Sequence, residues 1–179
     1  MDTTKTYTAF ADDTRVAGGD LNSVLTDLKS RGATNPDGHI LIFDDSTGRQ
    51  VDFDLTQPVE EPAARGPGRP RLGVIAREVT LLPRHWDWLA EQPSGASAAL
   101  RRLVDAARKN ESPADLARRA AAATGRVMTV LAGNRPNFEE AYRSLDAGDR
   151  TRFTELISDW PADVQAHLLH LAADAFPAD

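Results

Sequence analysis

The spacing of apolar and polar positions in the first third of the chain predicts two strands followed by a helix. Apolar and polar side chains alternate over residues 6–11, and residues 14–17 can return as a second strand after a turn. Between residues 21 and 31 the apolar positions recur at i, i+3, i+4 and i+7, which is the spacing of an amphipathic helix. Asp20 stands directly before that helix and is expected to cap its free amides.

Two further strands are expected after this helix. Residues 39–43 form a short apolar segment, and residues 50–55 alternate apolar with acidic side chains beyond a hairpin turn at 44–49. Together with the preceding elements, this order predicts a β-β-α-β-β module in residues 1–55.

The centre of the chain predicts one more strand, over residues 74–81, because apolar and polar positions alternate there. One face carries Ile75, Val79 and Leu81, and the other face carries Ala76, Glu78 and Thr80. A frame shifted by one residue turns Arg77 outward, but it also leaves Val79 and Leu81 in water. We therefore keep the first frame.

Two short helices are predicted to follow this strand. Pro83 suits the first turn of the first helix, and residues 92–95 form the turn that ends it. Ser97 is placed to cap the second helix. The apolar stripe of that helix consists of Leu100, Leu103, Val104 and Ala107.

The last third of the chain, residues 111–176, predicts helices only. A break is expected at 133–136, and a further interruption at Thr124-Gly125 is open. Asn137 and Asp149 are placed to cap two helices, and Pro161 to begin the last one. The expected core side chains are Phe153, Leu156, Ile157, Trp160, Val164, Leu168, Leu169 and Leu171.

These elements predict an α+β protein with four parts. They are the N-terminal α/β module at 1–55, a Pro/Gly-rich basic linker at 56–72, a central segment at 73–110 and a C-terminal helical domain at 111–179. The chain has 179 residues and no cysteine, so it forms no disulfide. It contains no apolar run near the ~20 residues of a membrane span, and we expect a cytoplasmic protein with no membrane partner.

Charge is distributed unevenly along the chain. Residues 1–64 carry a net charge of −7, residues 65–109 one of +5 and residues 110–179 one of −4. A net-acidic protein with one basic segment points to an anionic partner at one place, and nucleic acid is the simplest such partner.

Part of this positive charge lies in the linker. Its stretch Arg65-Gly66-Pro67-Gly68-Arg69-Pro70-Arg71 resembles an AT-hook, in which a Gly-Arg-Pro core lies in the minor groove of A·T-rich DNA. The resemblance implies DNA contacts by Arg65, Gly68, Arg69, Pro70 and Arg71. Pro67 departs from the motif, which has Arg before its core. A solvated tether is the alternative.

The central segment resembles the ribbon-helix-helix DNA-binding proteins, the class of the Arc and methionine repressors. The matching stretches are VTLLP at 79–83, GAS at 95–97 and LRRLV at 100–104. The resemblance implies a homodimer in which two strands pair as a ribbon in the major groove. The pairing residues would be Ile75, Val79, Leu81, Leu100, Leu103 and Val104.

In this frame the DNA-facing side chains would be Ala76, Glu78 and Thr80, with Arg77 in the alternative frame. The amides around Gly95 and Ser97 would receive a phosphate. Glu78 is unfavourable beside phosphates, although Glu can accept a hydrogen bond from cytosine. The competing interpretation is a non-enzymatic interaction or scaffold protein that uses this segment only to dimerise. The whole chain also resembles an uncharacterised bacterial family known only as a domain of unknown function.

No metal, cofactor or enzyme activity is expected. Asp12, Asp13, Asp44, Asp45, Asp52 and Asp54 crowd the N-terminal module, but they suit turns and a polar strand face. His167 and His170 have a spacing that metal sites tolerate, yet the sequence offers no evident third ligand. The chain carries no phosphate-binding loop, nucleophile elbow or His-Glu-x-x-His motif.

Overall fold

A computed structural model of the chain describes residues 5–31, 40–53 and 75–176. The chain divides into two units. The first unit combines Met1–Glu60 with Pro113–Asp179, and the second is Glu61–Ser112. The four-part division expected from the sequence stays a prediction.

The N-terminal strands form one antiparallel sheet. They are β1 (Tyr7–Ala11), β2 (Thr14–Gly19), β3 (Ile40–Asp44) and β4 (Arg49–Gln50), in the spatial order β2-β1-β3-β4. Tyr7 lies opposite Gly19 of β2 and opposite Asp44 of β3, so β1 is a central strand. β4 is shorter than the predicted strand 50–55, because residues 51–53 are not in a strand and residues 54 and 55 lie outside the described part.

The described residues form seven α-helices and one short 3-10 helix. They are α1 (Leu21–Ser30), α2 (Pro83–Ala90), α3 (Gly95–Lys109), α4 (Pro113–Ala132), α5 (Phe138–Asp146), α6 (Arg150–Leu156) and α7 (Ala162–Leu171), followed by the 3-10 turn Ala173–Ala175. An N-terminal antiparallel sheet followed by helices confirms the α+β class predicted from the sequence.

Two of the predicted helix caps are confirmed. The carboxylate of Asp20 accepts hydrogen bonds from the amides of Asn22 and Ser23 at the start of α1. Asp149 accepts one from the amide of Arg152 at the start of α6. Both caps satisfy amides that have no partner inside the helix.

Two other expectations about helix ends are wrong, and the interruption that the sequence left open is absent from α4. α3 begins at Gly95, so Ser97 lies inside the helix and does not cap it. Asn137 occupies the cap position of α5, but its side chain makes no capping hydrogen bond because its backbone is left-handed, with φ of 64°. α4 runs through Thr124-Gly125 without interruption. Gly125 is instead a close-packing position, because a Cβ there would lie 2.9 Å from the hydroxyl of Tyr142.

The sheet and the C-terminal helices share one hydrophobic core. Phe10 of β1 and Phe43 of β3 are fully buried in the same cluster as side chains of α4 to α7. All but two of the core residues expected in the last third are buried, and Leu169 and Leu171 pack against the cluster partly buried. A smaller cluster around Val24 and Leu28 attaches α1 to the sheet.

The strand predicted over residues 74–81 is not formed at residues 75–81 of the single chain. Residues 75–82 lead into α2 without regular secondary structure. Strand assignment requires a hydrogen-bonded partner, and no segment of the described chain pairs with these residues. Their pairing with a second copy stays a prediction.

Candidate functional site

Residues 75–112 consist of the segment 75–82, which has no regular secondary structure, and two packed helices. Pro83 occupies the first turn of α2, as predicted, and Leu82 before it has the extended backbone expected ahead of proline. The turn from α2 to α3 requires positive φ at Ser94 (69°) and Gly95 (77°). Leu89 of α2 and Ala99 of α3 are buried, which fixes the two helices against each other.

Most of the exposed apolar surface of the described chain lies in this segment. Of the eight large apolar side chains that the described residues leave exposed, seven fall between positions 75 and 104. They are Ile75, Val79, Leu82, Trp86, Trp88, Leu103 and Val104. Such a concentration is typical of an interaction surface rather than of isolated surface residues. We call this set the apolar surface of α2–α3.

Four of the six predicted pairing residues belong to this surface. Ile75, Val79, Leu103 and Val104 are exposed, whereas Leu81 and Leu100 are half-buried. In the single chain, the apolar stripe of α3 therefore has no complete partner among the described residues. Sequence reasoning missed Trp86 and Trp88, whose exposed fractions of 41% and 48% add two large aromatic side chains.

Two arginines reach back toward the N-terminus of α3. Arg101 donates to the hydroxyl of Ser97 at 3.1 Å, and Arg102 donates to the carbonyl of Pro93 at 3.3 Å. Ser94, the residue at the N-cap position, makes no side-chain hydrogen bond to the first turn of α3. Free helix amides and guanidinium groups at one end together favour an anion such as phosphate.

The DNA-facing side chains predicted from the sequence are divided between described and undescribed residues. Ala76, Arg77, Glu78 and Thr80 are all exposed in the segment 75–82. The arm residues Arg65, Gly68, Arg69, Pro70 and Arg71 lie outside the described residues. The described part, residues 75–112, carries six basic and five acidic side chains, and the arm accounts for three of the five net positive charges of residues 65–109.

A buried pair in the first unit escaped sequence reasoning. The imidazole Nε2 of His167 lies 3.8 Å from Oδ1 of Asp45, and among the described residues neither atom has a hydrogen-bond partner. Burial lowers the pKa of His167 from 6.5 to about 4, because water is removed from the charged imidazolium. The charges of Arg15 and His170 act in the same direction, and Asp45 opposes them. Only the three-dimensional packing brings Asp45 to this helix.

The neighbouring Asp44 is held by hydrogen bonds. Burial alone raises the pKa of its carboxyl group, but hydrogen bonds from Ser46 and the charge of Lys5 outweigh that effect and the pKa lies below its usual value. Asp44 accepts from the amide and the hydroxyl of Ser46 at 2.9 and 2.6 Å. It therefore fixes the β3–β4 turn, in agreement with a structural role for these aspartates.

No cluster of three or more His, Asp or Glu side chains in the described ranges could hold a metal ion. The same residues contain no helix with the length and apolar character needed to cross a bilayer. Whether the protein is an enzyme, and where it is located, stay predictions from the sequence.

Comparison with known families gives one match that spans both units. The model of a family described as "Uncharacterized protein conserved in bacteria (DUF2239)" matches residues 6–172. The chain belongs to the DUF2239 family. The resemblance of the whole chain to a bacterial domain of unknown function is thereby confirmed, whereas the ribbon-helix-helix resemblance of the central segment has no support from a family model. No curated protein and no solved structure matches this DUF2239 chain.

Proposed function

We propose that the protein is a homodimeric, sequence-specific DNA-binding protein that acts as a transcriptional regulator. Residues 75–112 of two copies would pair through the apolar surface of α2–α3, and the paired segments would enter the major groove. The observation that carries the proposal is the exposure of seven large apolar side chains within this short segment.

The physical reason for pairing is the cost of leaving this surface in water. Burying apolar area contributes roughly 25 cal/mol per Å², and an extended segment also gains hydrogen bonds when it pairs. A second copy brings an identical surface, so a two-fold contact places like elements against each other. Val79 at 54% exposure and Val104 at 56% are free to join such a contact.

Support for the DNA partner comes from charge. Residues 65–109 carry +5 in a chain of net charge −6. Arg101 and Arg102 are held at the uncapped start of α3, where helix amides also favour a phosphate. The arm at 65–71 would add contacts to the DNA backbone or the minor groove.

Light scattering and electrophoretic mobility together test this proposal. At micromolar concentration the full chain should have about twice the mass of 19.4 kDa. Genomic fragments containing the gene's own promoter should be retarded, with an affinity that decreases as salt rises. Val104→Asp should yield monomers that no longer retard DNA. Ala166→Asp, which places the same charge at an exposed position of α7, should change neither property.

The second candidate function is a dimeric interaction protein without DNA. The exposed Glu78 and the near balance of charge in residues 75–112 favour it, since phosphates repel a carboxylate. A dimer that retards no promoter fragment at low salt would support this function. A monomer over the whole concentration range would exclude both.

A further inference from the structure

A groove lies beside the edge of the sheet in the first unit. It is an open depression of about 440 Å³ between the end of the β3–β4 hairpin and one face of α4. Its lining residues are Gly48, Arg49, Gln50, Arg126, Thr129 and Val130. On α4 the last three are spaced at i, i+3 and i+4, so they share one helix face. We call this site the β4–α4 groove.

The two walls of the groove are held in place by direct contacts. Gly48 has a φ of 65°, and a Cβ at this position would overlap the carbonyl of Ala123 in α4. The guanidinium of Arg126 donates to the carbonyl of Thr47 at 2.7 Å. Because the hairpin is fixed to the helix by both contacts, the groove is formed before any ligand binds.

The charge of the groove is opposite to that of the unit around it. The described residues of the first unit carry twelve basic and sixteen acidic side chains. In contrast, Arg49 and Arg126 are the charged residues among the described lining residues, which include no acid. Within the described ranges neither arginine forms an ion pair, and the guanidinium of Arg126 has further N–H groups beside the one that it donates to Thr47.

The groove also includes an open sheet edge. β4 is the outermost strand, and no described segment pairs with its outer side. The amide of Val51 donates to the carbonyl of Ile42 at 2.8 Å, and Arg49 lies opposite Asp44. Since hydrogen-bonded and non-hydrogen-bonded pairs alternate in an antiparallel ladder, the N–H and C=O of Gln50 point away from β3. The N–H donor and C=O acceptor of Gln50 are therefore available to a strand that adds to this edge.

We infer that the β4–α4 groove binds an extended acidic segment of a partner protein. The segment adds to β4 through the backbone of Gln50, and its carboxylates contact Arg49 and Arg126. An apolar side chain of the same segment covers Val130, which is 48% exposed. Strand addition supplies the main-chain hydrogen bonds, and the arginines select acidic sequences. This inference does not depend on dimerisation or on DNA binding.

Selection from a random peptide library displayed on phage tests the inference with the full-length protein as the target. The expected result is enrichment of acidic peptides that carry an apolar residue among the acids. A synthetic enriched peptide should lose at least tenfold in affinity for Arg49→Glu, measured by fluorescence anisotropy. Arg150→Glu reverses an exposed arginine on α6 of the same unit and should leave the affinity unchanged.

Other results would overturn the inference. One is enrichment of peptides without acidic residues, and another is equal binding to Arg49→Glu and the wild-type protein. Full displacement of the peptide by 10 mM inorganic phosphate, about 10,000-fold above a dissociation constant of about 1 μM for the peptide, would indicate a site for small anions. A change in molecular mass of Arg49→Glu would identify the occupant as a second copy of the chain. Val130→Glu provides an independent variant, because it should also weaken peptide binding without touching either arginine.

Discussion

The buried His167 makes the stability of the first unit depend on pH. Its pKa is lowered from 6.5 to about 4 in the folded chain, so below pH 6.5 the unfolded chain binds the proton more readily. The free energy of unfolding is therefore highest above pH 6.5 and decreases as the pH falls toward 4. The slope is up to about 1.4 kcal/mol per pH unit in that window. Urea denaturation at pH 7.5, 6 and 5 measures it.

His167→Gln is the variant that isolates this effect. Gln does not titrate, so its free energy of unfolding should change less over the same pH range than that of the wild type. His170→Gln, at an exposed position of the same helix, should keep the wild-type slope. Equal slopes for the wild type and His167→Gln would show that other groups cause the dependence.

Gly48→Ala and Gly95→Ala can be compared directly, because both replace a glycine of positive φ. Both have positive φ, 65° and 77°, where any side chain is strained by about 1–2 kcal/mol. A Cβ at Gly48 also overlaps the backbone of α4, whereas nothing lies within 4 Å of one at Gly95. Gly48→Ala should therefore cost clearly more in thermal or urea denaturation than Gly95→Ala, by on the order of 2 kcal/mol. Similar costs for the two variants would mean that the hairpin can move away from α4.

Structural features formed by residues close together in the sequence were predicted best. The turn at 44–49 and the cap at Asp20 follow from local preferences for Gly, Asp and Ser, and sequence analysis found both. The contact between Gly48 and Ala123 joins positions far apart along the chain, so no local sequence pattern predicts it. The same holds for Asp45 and His167, which come together only when the sheet packs on α7.

At the scale of secondary structure, the existence of elements was easier to predict than their ends. Helical periodicity located α1 and α3, but α3 begins at Gly95 rather than after Ser97 because the left-handed turn at Ser94 sets its start. Thr124-Gly125 looks like a helix break from propensity alone. In the structure this position is tightly packed against Tyr142, and that packing outweighs the propensity of Gly.

The segment 75–82 allows a test of the strand frame predicted for it. Val79 is 54% exposed, so Val79→Asp should leave the fold of the single chain intact and act only on pairing. Light scattering should then show monomers, whereas Thr80→Ala should remain dimeric. If Thr80 contacts a base edge, Thr80→Ala should lose on the order of 1–3 kcal/mol of specific binding. A dimeric Val79→Asp beside a monomeric Thr80→Ala would invert the frame.

Glu78→Gln distinguishes two roles of the Glu78 carboxylate in DNA binding. Tighter binding to every DNA sequence would mean that the carboxylate only repels phosphates. Weaker binding to one preferred sequence would mean that it accepts a hydrogen bond from a base. Mobility shifts with a specific and a random fragment of equal length distinguish these results.

For the whole molecule, the sequence predicted the α+β class but not the shared core. The N-terminal strands and the C-terminal helices each have their own periodicity, so they look like separate modules. In the structure Phe10 and Phe43 are buried together with Met128 and Leu168. Arg135 and Asp13 form an ion pair between the same two parts, and the amide of Arg15 donates to Asp163 at 2.9 Å. Periodicity identifies the apolar face of a helix or strand, but it does not identify the element that packs against that face.

The basic arm is the feature whose role depends on the whole molecule. Arg65, Arg69 and Arg71 account for three of the nine basic residues in 65–109. If they contact phosphates or the minor groove, replacing all three by Ala should weaken DNA binding and flatten the salt dependence. The slope of log K against log salt should fall by up to about 0.9 for each lost phosphate contact. The measurement is a salt titration of promoter binding.

A control for this arm variant replaces Arg143, Arg150 and Arg152 by Ala. It removes the same charge from helices of the first unit. Removing three positive charges anywhere lowers the general attraction to DNA, so both triple variants should bind more slowly at low salt. Only a loss of direct contacts changes the slope for the arm variant more than for the control. Equal slopes would make the arm a tether, with the paired segments alone contacting DNA.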